Sequence, residues 1–242
     1  MERTLFVFEG EKTEKLYFQS LERAFFHGEE SRLLASYTND LYELYDEIAD
    51  DEDLDLFELI KELNPSTNKD ENIKNLRRDQ IGQIYLFFDF EPKDNKFAGQ
   101  NLLNMLRRFN NETEDGKLFI SYPMVEAIRD IDNIDEYLER TVAISDCSGG
   151  IYKGLSAARG SHAYQHARKI DKERWLRLME ANIRKANILA AEKNTLEFVS
   201  DQVSIAASQL INDAPRDPLP VLSAFPIFLA DYFGLDILNN PQ

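Results

Sequence analysis

Acidic residues follow two short apolar runs in this chain. Thr4 to Phe8 (T-L-F-V-F) leads into Glu9, Glu11 and Glu14, and the run Gln83 to Phe90 (Q-I-Y-L-F-F-D-F) carries Asp89 and leads into Glu91. Runs of this length and β-branched or aromatic content read as strands buried on both faces. Neighbouring parallel strands present their carboxyl ends on one edge, so these carboxylates can converge across the intervening 80 residues between Glu9 and Asp89. Hard divalent ions take oxygen ligands of this kind, and Mg²⁺ is held by a few carboxylates plus water and substrate phosphate. Such ions can activate a water and stabilise the leaving oxygen in phosphodiester cleavage. On a strand, i and i+2 share a side, so Asp89 and Glu91 are expected to face one ion while Phe90 packs the other way. The same acids also suit solvated loops that cap helices.

The elements needed to position them are legible as alternating strand and helix. After Glu9-Gly10, Leu16, Tyr17, Leu21, Ala24 and Phe25 recur at helical spacing, with Thr13 a candidate cap. Leu33 to Tyr37 reads as a second strand. Asn39 to Glu58 follows, with ten acidic residues and no Lys or Arg, and it reads as a solvated helix face and loop. Asn64-Pro65-Ser66-Thr67-Asn68 is turn chemistry. A helix over Gln100 to Phe109, a strand over Lys117 to Ser121 and a helix begun by Pro123 complete the alternation. This predicts an α/β fold: a parallel sheet with helices on both faces over residues 1 to 131, an acidic helical insertion at about 39 to 80, and ligands at the strand carboxyl ends. Residues 132 to 242 read as a mainly helical region packed on it. Within that region Trp175, Met179, Ala186 and Leu189 share one face of a helix over Asp171 to Asn194, and Arg174, Arg177 and Arg184 lie opposite. The apolar segment Val221 to Gly234 reads as core or as an oligomer interface.

The formal charge is −16, which disfavours a generally basic nucleic-acid surface. It is unevenly distributed: Lys153 to Lys193 has ten basic residues against four acids, which leaves −22 on the rest. Lys153, Arg159, Arg168 and Lys169 are therefore candidates to grip a nucleic-acid backbone. Cys147 is the only cysteine, so an intrachain disulfide and a cysteine-rich zinc site are excluded. Neither a signal peptide nor a membrane span is expected, since no apolar stretch approaches the roughly 20 residues a helix needs to cross a bilayer. A cytoplasmic setting follows as the expectation.

The wording E-G-E-K-T-E at Glu9 to Glu14, after an apolar strand, together with F-F-D-F-E at Phe87 to Glu91, resembles the Toprim domain. The longer V-F-E-G-E-K-T-E-K-L-Y-F is similar to the RloB-like and OLD-type Toprim nucleases of bacterial anti-phage systems, and S-Y-P-M-V-E-A at Ser121 to Ala127 is similar to a segment of the RloB-like proteins. The resemblance covers about half of the chain. It implies that Glu9 is a general base or metal-orienting carboxylate, that Asp89 and Glu91 hold Mg²⁺ or Mn²⁺, and that Glu14 assists. Glu91 departs from the family's second Asp by one methylene, and Glu14 stands one residue further from Glu9 than in the OLD-type form. Glu126 either joins the cluster or favours a helix N-terminus.

His162 and His166 stand at i, i+4, a zinc-capable spacing on a helix, yet without the Glu of the metalloprotease signature. The chain carries no phosphate-binding loop motif, so any ATPase in the system is a separate partner. The resulting expectation is a metal-dependent nuclease acting on DNA or RNA, an effector of anti-phage defence. The alternative is a non-catalytic Toprim-like module that binds a partner or self-associates.

Overall fold

The computed structural model describes residues 3–26, 32–37, 40–49, 55–63 and 71–239. The turn expected at Asn64 to Asn68 and the acidic stretch Asp50 to Leu54 lie outside the described residues. The first half runs β1 (Arg3–Phe8), α1 (Thr13–Phe25), β2 (Arg32–Ser36), α2 (Leu41–Ala49), α3 (Leu56–Leu63), α4 (Glu71–Lys74), β3 (Ile81–Asp89), α5 (Gly99–Arg108), β4 (Asn110–Asn111) and β5 (Gly116–Ser121). The sheet order is β2-β1-β3-β5-β4, parallel except for the two-residue edge strand β4. From β1 the chain first goes outward to β2 and then returns to β3 on the opposite flank of β1. The gap between the carboxyl ends of β1 and β3 is thus the topological switch point, where open α/β sheets bind ligands.

Register sorts the strand residues into two faces. Phe6 pairs with Tyr85 and Phe8 with Phe87, which in turn pairs with Phe119, so these rings share a face. Phe18 of α1 stands 4.2 Å from Phe6 on that face. The intervening Leu5, Val7, Leu86 and Phe88 point to the other face and are buried as well. A strand buried on both sides cannot alternate apolar with polar residues, which is why β1 and β3 are continuous apolar runs.

The second half continues with α6 (Ile134–Leu138), β6 (Thr141–Val142), α7 (Gly149–Arg159), α8 (Lys172–Ala191), α9 (Gln202–Ser208), β7 (Leu210–Ile211), β8 (Ala214–Pro215), β9 (Leu219–Pro220) and α10 (Ala224–Phe233). It is largely helical, but β6 pairs with β9 and β7 with β8. Two-residue pairs carry no detectable period, so these strands leave no signal in the sequence. The apolar segment near the end is core: α10 lies on the aromatic face, with Phe225 stacked 4.7 Å from Phe87 and Phe228 edge-on 5.0 Å from Tyr85. In α8, capped by the Asp171 side chain, Trp175, Met179 and Ala186 are buried while Leu189 is only half-buried.

Two local expectations are corrected. The segment after β5 is no α-helix begun by Pro123; the Phe90 N–H donates to the carbonyls of Ser121 and Pro123 at 3.0 and 3.1 Å, which holds the chain extended until a 3-10 helix at Val125–Arg129. His162 and His166 sit in turns after α7, both exposed, so the helical pairing that would bring them onto one zinc ion is absent. No described helix is long and apolar enough to cross a membrane.

Candidate metal centre

Glu9 is the first residue after β1, and it ties the two strand ends together. Its N–H donates to the Phe87 carbonyl at 3.1 Å, and its Oε2 accepts the Asp89 N–H at 2.8 Å. The chain then turns at Gly10 into α1, whose first turn carries the buried Glu14. A Cβ at Gly10 would press on the Glu14 carboxylate and displace it from its present place. Asp89 closes β3 on the same sheet face as Phe87, and it is half-buried. Glu126 enters from the 3-10 helix after β5, 4% exposed. Its Oε1 lies 3.4 Å from Lys153 Nζ of α7, and its buried Oε2 has no hydrogen-bond partner.

These carboxylates are packed closely enough to hold protons. Burial raises Glu9 to about 8, against the lowering by the Asp89 N–H, and Glu91, Glu14 and Asp40 add to the rise. Asp89 is pushed well above the usual carboxylate range by burial and then by Glu9, Glu14, Glu126 and Glu91. Glu14 is raised by burial and by Glu126, with Lys153 pulling the other way. A cation placed among them would reverse every one of these repulsions.

Glu91 lies just past the end of β3, near enough to Glu9 and Asp89 to raise the proton affinity of both. The strand ends at Asp89, and Glu91 adopts φ 42°, a left-handed conformation that costs a non-glycine residue about 1–2 kcal/mol. That reversal turns Glu91 toward Asp40 and Asp94, whose carboxylate oxygens all come within 4.8 Å of one another. Its proton affinity is raised by burial and by these two neighbours. Asp40 itself caps α2, its Oδ1 accepting the N–H groups of Tyr42 and Glu43, both at 2.8 Å.

Glu9, Glu14, Asp89 and Glu91 line one cleft of about 670 Å³ with Asp40, Glu43 and Asp94, and only Lys93 and Lys153 among the lining residues are basic. Glu126 stands behind Lys153. Glu11 is exposed outside the cleft. Arg159 is not available to a nucleic-acid backbone: its Nε donates to Oδ1 of the fully buried Asp130 at 2.7 Å, and its Nη2 pairs with Oδ2. A buried carboxylate demands a partner, and Arg159 meets that demand. Arg168 and Lys169 are exposed in a groove along α1. Sequence reasoning missed Asp40, Asp94 and Lys93. Asp40 stands four residues after β2, where Glu9 directly follows β1, so the strand-end signal that marked Glu9 was weaker there.

The donors are all oxygen and mostly anionic, and Glu126 Oε2 is an orphaned buried acceptor, so the residues fit a hard divalent cation. No family model, no curated protein and no solved structure matches the chain.

Proposed function

We propose that this chain is a divalent-metal-dependent nuclease that hydrolyses phosphodiester bonds. One observation carries the reading: like-charged carboxylates from separate strand ends converge, largely buried, at the switch point of a parallel sheet. Such an arrangement costs folding energy unless a cation joins it. Glu9, Glu14, Asp89 and Glu91 would hold Mg²⁺ or Mn²⁺, with Asp40 and Asp94 beside Glu91 and Glu126 at the margin. When bound, the ion supplies charge neutralisation at the phosphate and a more acidic water.

The protein's own groups divide the remaining work. Glu9 is the group suited to accept the proton of the attacking water. Its Oε2 is fixed by the Asp89 N–H at 2.8 Å, which holds the carboxylate at the strand end where the water would be bound. Lys153 stands at the cleft as a cation facing Glu126, able to meet a phosphate oxygen. Gly10 keeps Glu14 close to the β1 end. With the Toprim resemblance, the proposal extends to an anti-phage effector acting with a separately encoded ATPase or sensor, and to self-association.

Purified protein incubated with labelled DNA and RNA plus Mg²⁺ or Mn²⁺ tests it. Metal-dependent cleavage that disappears in Glu9→Gln and Asp89→Asn is expected; equal cleavage by wild type and folded variants overturns it. The second reading, a non-catalytic Toprim-like module, is favoured by one observation: among the described residues, the three carboxylates whose oxygens all lie within 4.8 Å of one another are Asp40, Glu91 and Asp94, a set without Glu9 or Asp89. It requires that millimolar Mg²⁺ or Mn²⁺ leave the melting temperature unchanged.

A further inference from the structure

The acidic cleft has a basic neighbour. Two grooves, of about 280 and about 400 Å³, run along α1 and meet at Arg168. Thr13, Leu16 and Tyr17 line the first and Ser20, Arg23 and Ala24 the second. Those positions fall at three- and four-residue steps, so they form one stripe of the helix. Glu14, next to Thr13, lines the metal cleft. The first turn of α1 therefore borders both the cleft and the first groove.

A second contact joins them. Arg129 lines the first groove, and its Nη2 donates to the carbonyl of Lys153, a cleft residue, at 2.9 Å. Its Nε is held by Ser156 Oγ at 3.1 Å. Arg23, Arg129, Arg168, Lys169 and Lys172 line the two grooves, and Asp171 is the single carboxylate among the lining residues. That carboxylate is spent on α8, bonded to the Arg174 N–H at 3.0 Å and to its Nη1 at 2.8 Å. In a protein of net charge −16 such a strip is a strong local exception.

We propose that this strip is the path of a single nucleic-acid strand leaving the metal cleft, its phosphates on Arg129, Arg168, Arg23 and Lys169 and a base over the Leu16–Ala167 floor. The inference rests on the nuclease reading of the cleft and adds the form of the substrate. The grooves are small and partly apolar, lined by Leu16, Tyr17 and Ala167 among others, which suits an unpaired base. From Glu14 to Ala24 the helix rises about 15 Å, enough for about four nucleotides of one strand.

The test compares Arg23→Gln/Arg168→Gln/Lys169→Gln with the parent, both in a Glu9→Gln background with Mg²⁺ so that the probe is not cut. Binding of a labelled 12-nucleotide single strand is measured across salt concentrations. Loss of three phosphate contacts is expected to lower the salt slope by about 2 and the affinity by roughly 100-fold at 0.1 M salt. Unchanged slope and affinity overturn the strip, as does equally affected and tighter binding of a duplex, or binding of anionic vesicles in place of the strand. Hydrolysis of a p-nitrophenyl nucleotide diester, too short to reach the strip, separates the two claims. The triple variant with Glu9 restored is expected to match wild type. If neither protein hydrolyses the diester in any metal while strand binding still drops, the nuclease reading fails and the strip stands.

Discussion

Two buried charge systems lie in this molecule, and they are built by opposite rules. Around Asp130 every charge has its partner: Arg159 pairs with both carboxylate oxygens, the Tyr152 hydroxyl donates to Oδ2 at 2.9 Å, and nearby Lys185 donates to the carbonyls of Tyr137 and Arg140 at 2.7 and 2.5 Å. At the carboxyl ends of β1 and β3 carboxylate meets carboxylate, and Lys153 is the basic group that faces them from α7. A sequence able to neutralise Asp130 so completely shows that unpaired burial is not forced on it. The strand-end cluster keeps its repulsion, which is the cost that the proposed cation would remove.

The largest expected effect is on turnover. Asp89→Asn should lower metal-dependent cleavage by about 100- to 1000-fold, the scale of losing one directly acting electrostatic group, while the melting temperature holds or rises. A fall in stability parallel to the loss of activity would break the contrast. Next, Arg159→Met should destabilise the fold by about 3–5 kcal/mol, because it strands a buried carboxylate, and should leave hydrolysis of a small diester by the remaining folded protein intact. Chemical denaturation measures the first and a diester assay the second.

Metal should sharpen the difference further. At 100 times its dissociation constant, Mg²⁺ or Mn²⁺ should add about 2.7 kcal/mol of stability, and Glu9→Gln should diminish that gain. The two systems should also answer pH with opposite signs. Glu9 is raised from 4.5 to about 8, so in the folded state it holds a proton that the unfolded chain has released. Its contribution is full below about pH 4.5 and is lost as pH rises through 8, and metal-free protein should weaken over that window. Lys185 is lowered from 10.5 to about 7, chiefly by burial. The unfolded chain then binds the extra proton, so stability rises between about pH 7 and 10.5, and Lys185→Met should flatten that slope.

Much of this was legible from the sequence, for physical reasons that differ by element. β1 and β3 are covered on both faces, so their apolar runs are unbroken and their ends unambiguous. The acids that follow them, Glu9 and Asp89, needed only the rule that parallel strands share an edge. For Glu91 the rule of alternation stops where the strand stops, and a positive φ leaves no mark in the residue type, so its link to Asp40 and Asp94 was not legible. Asp40 was hidden inside an acidic run whose average reads as solvated surface. Arg159 was counted as free charge because its partner, Asp130, lies 29 positions away and is silent in local composition. The short pairs β6–β9 and β7–β8 are fixed by tertiary contacts, not by a period.

The position of α10 sets when the cleft can exist. Phe225 and Phe228 cover rings of β1 and β3, so the first strand of the sheet waits for a helix more than 200 residues downstream. At about 5–20 residues per second, a ribosome needs about 10–45 s to make that interval. During synthesis the carboxylates therefore stand on an uncovered sheet, and an incomplete product lacking α10 lacks the support that holds Glu9 beside Asp89. On the proposed reading, competence to bind metal would be deferred until translation has passed α10.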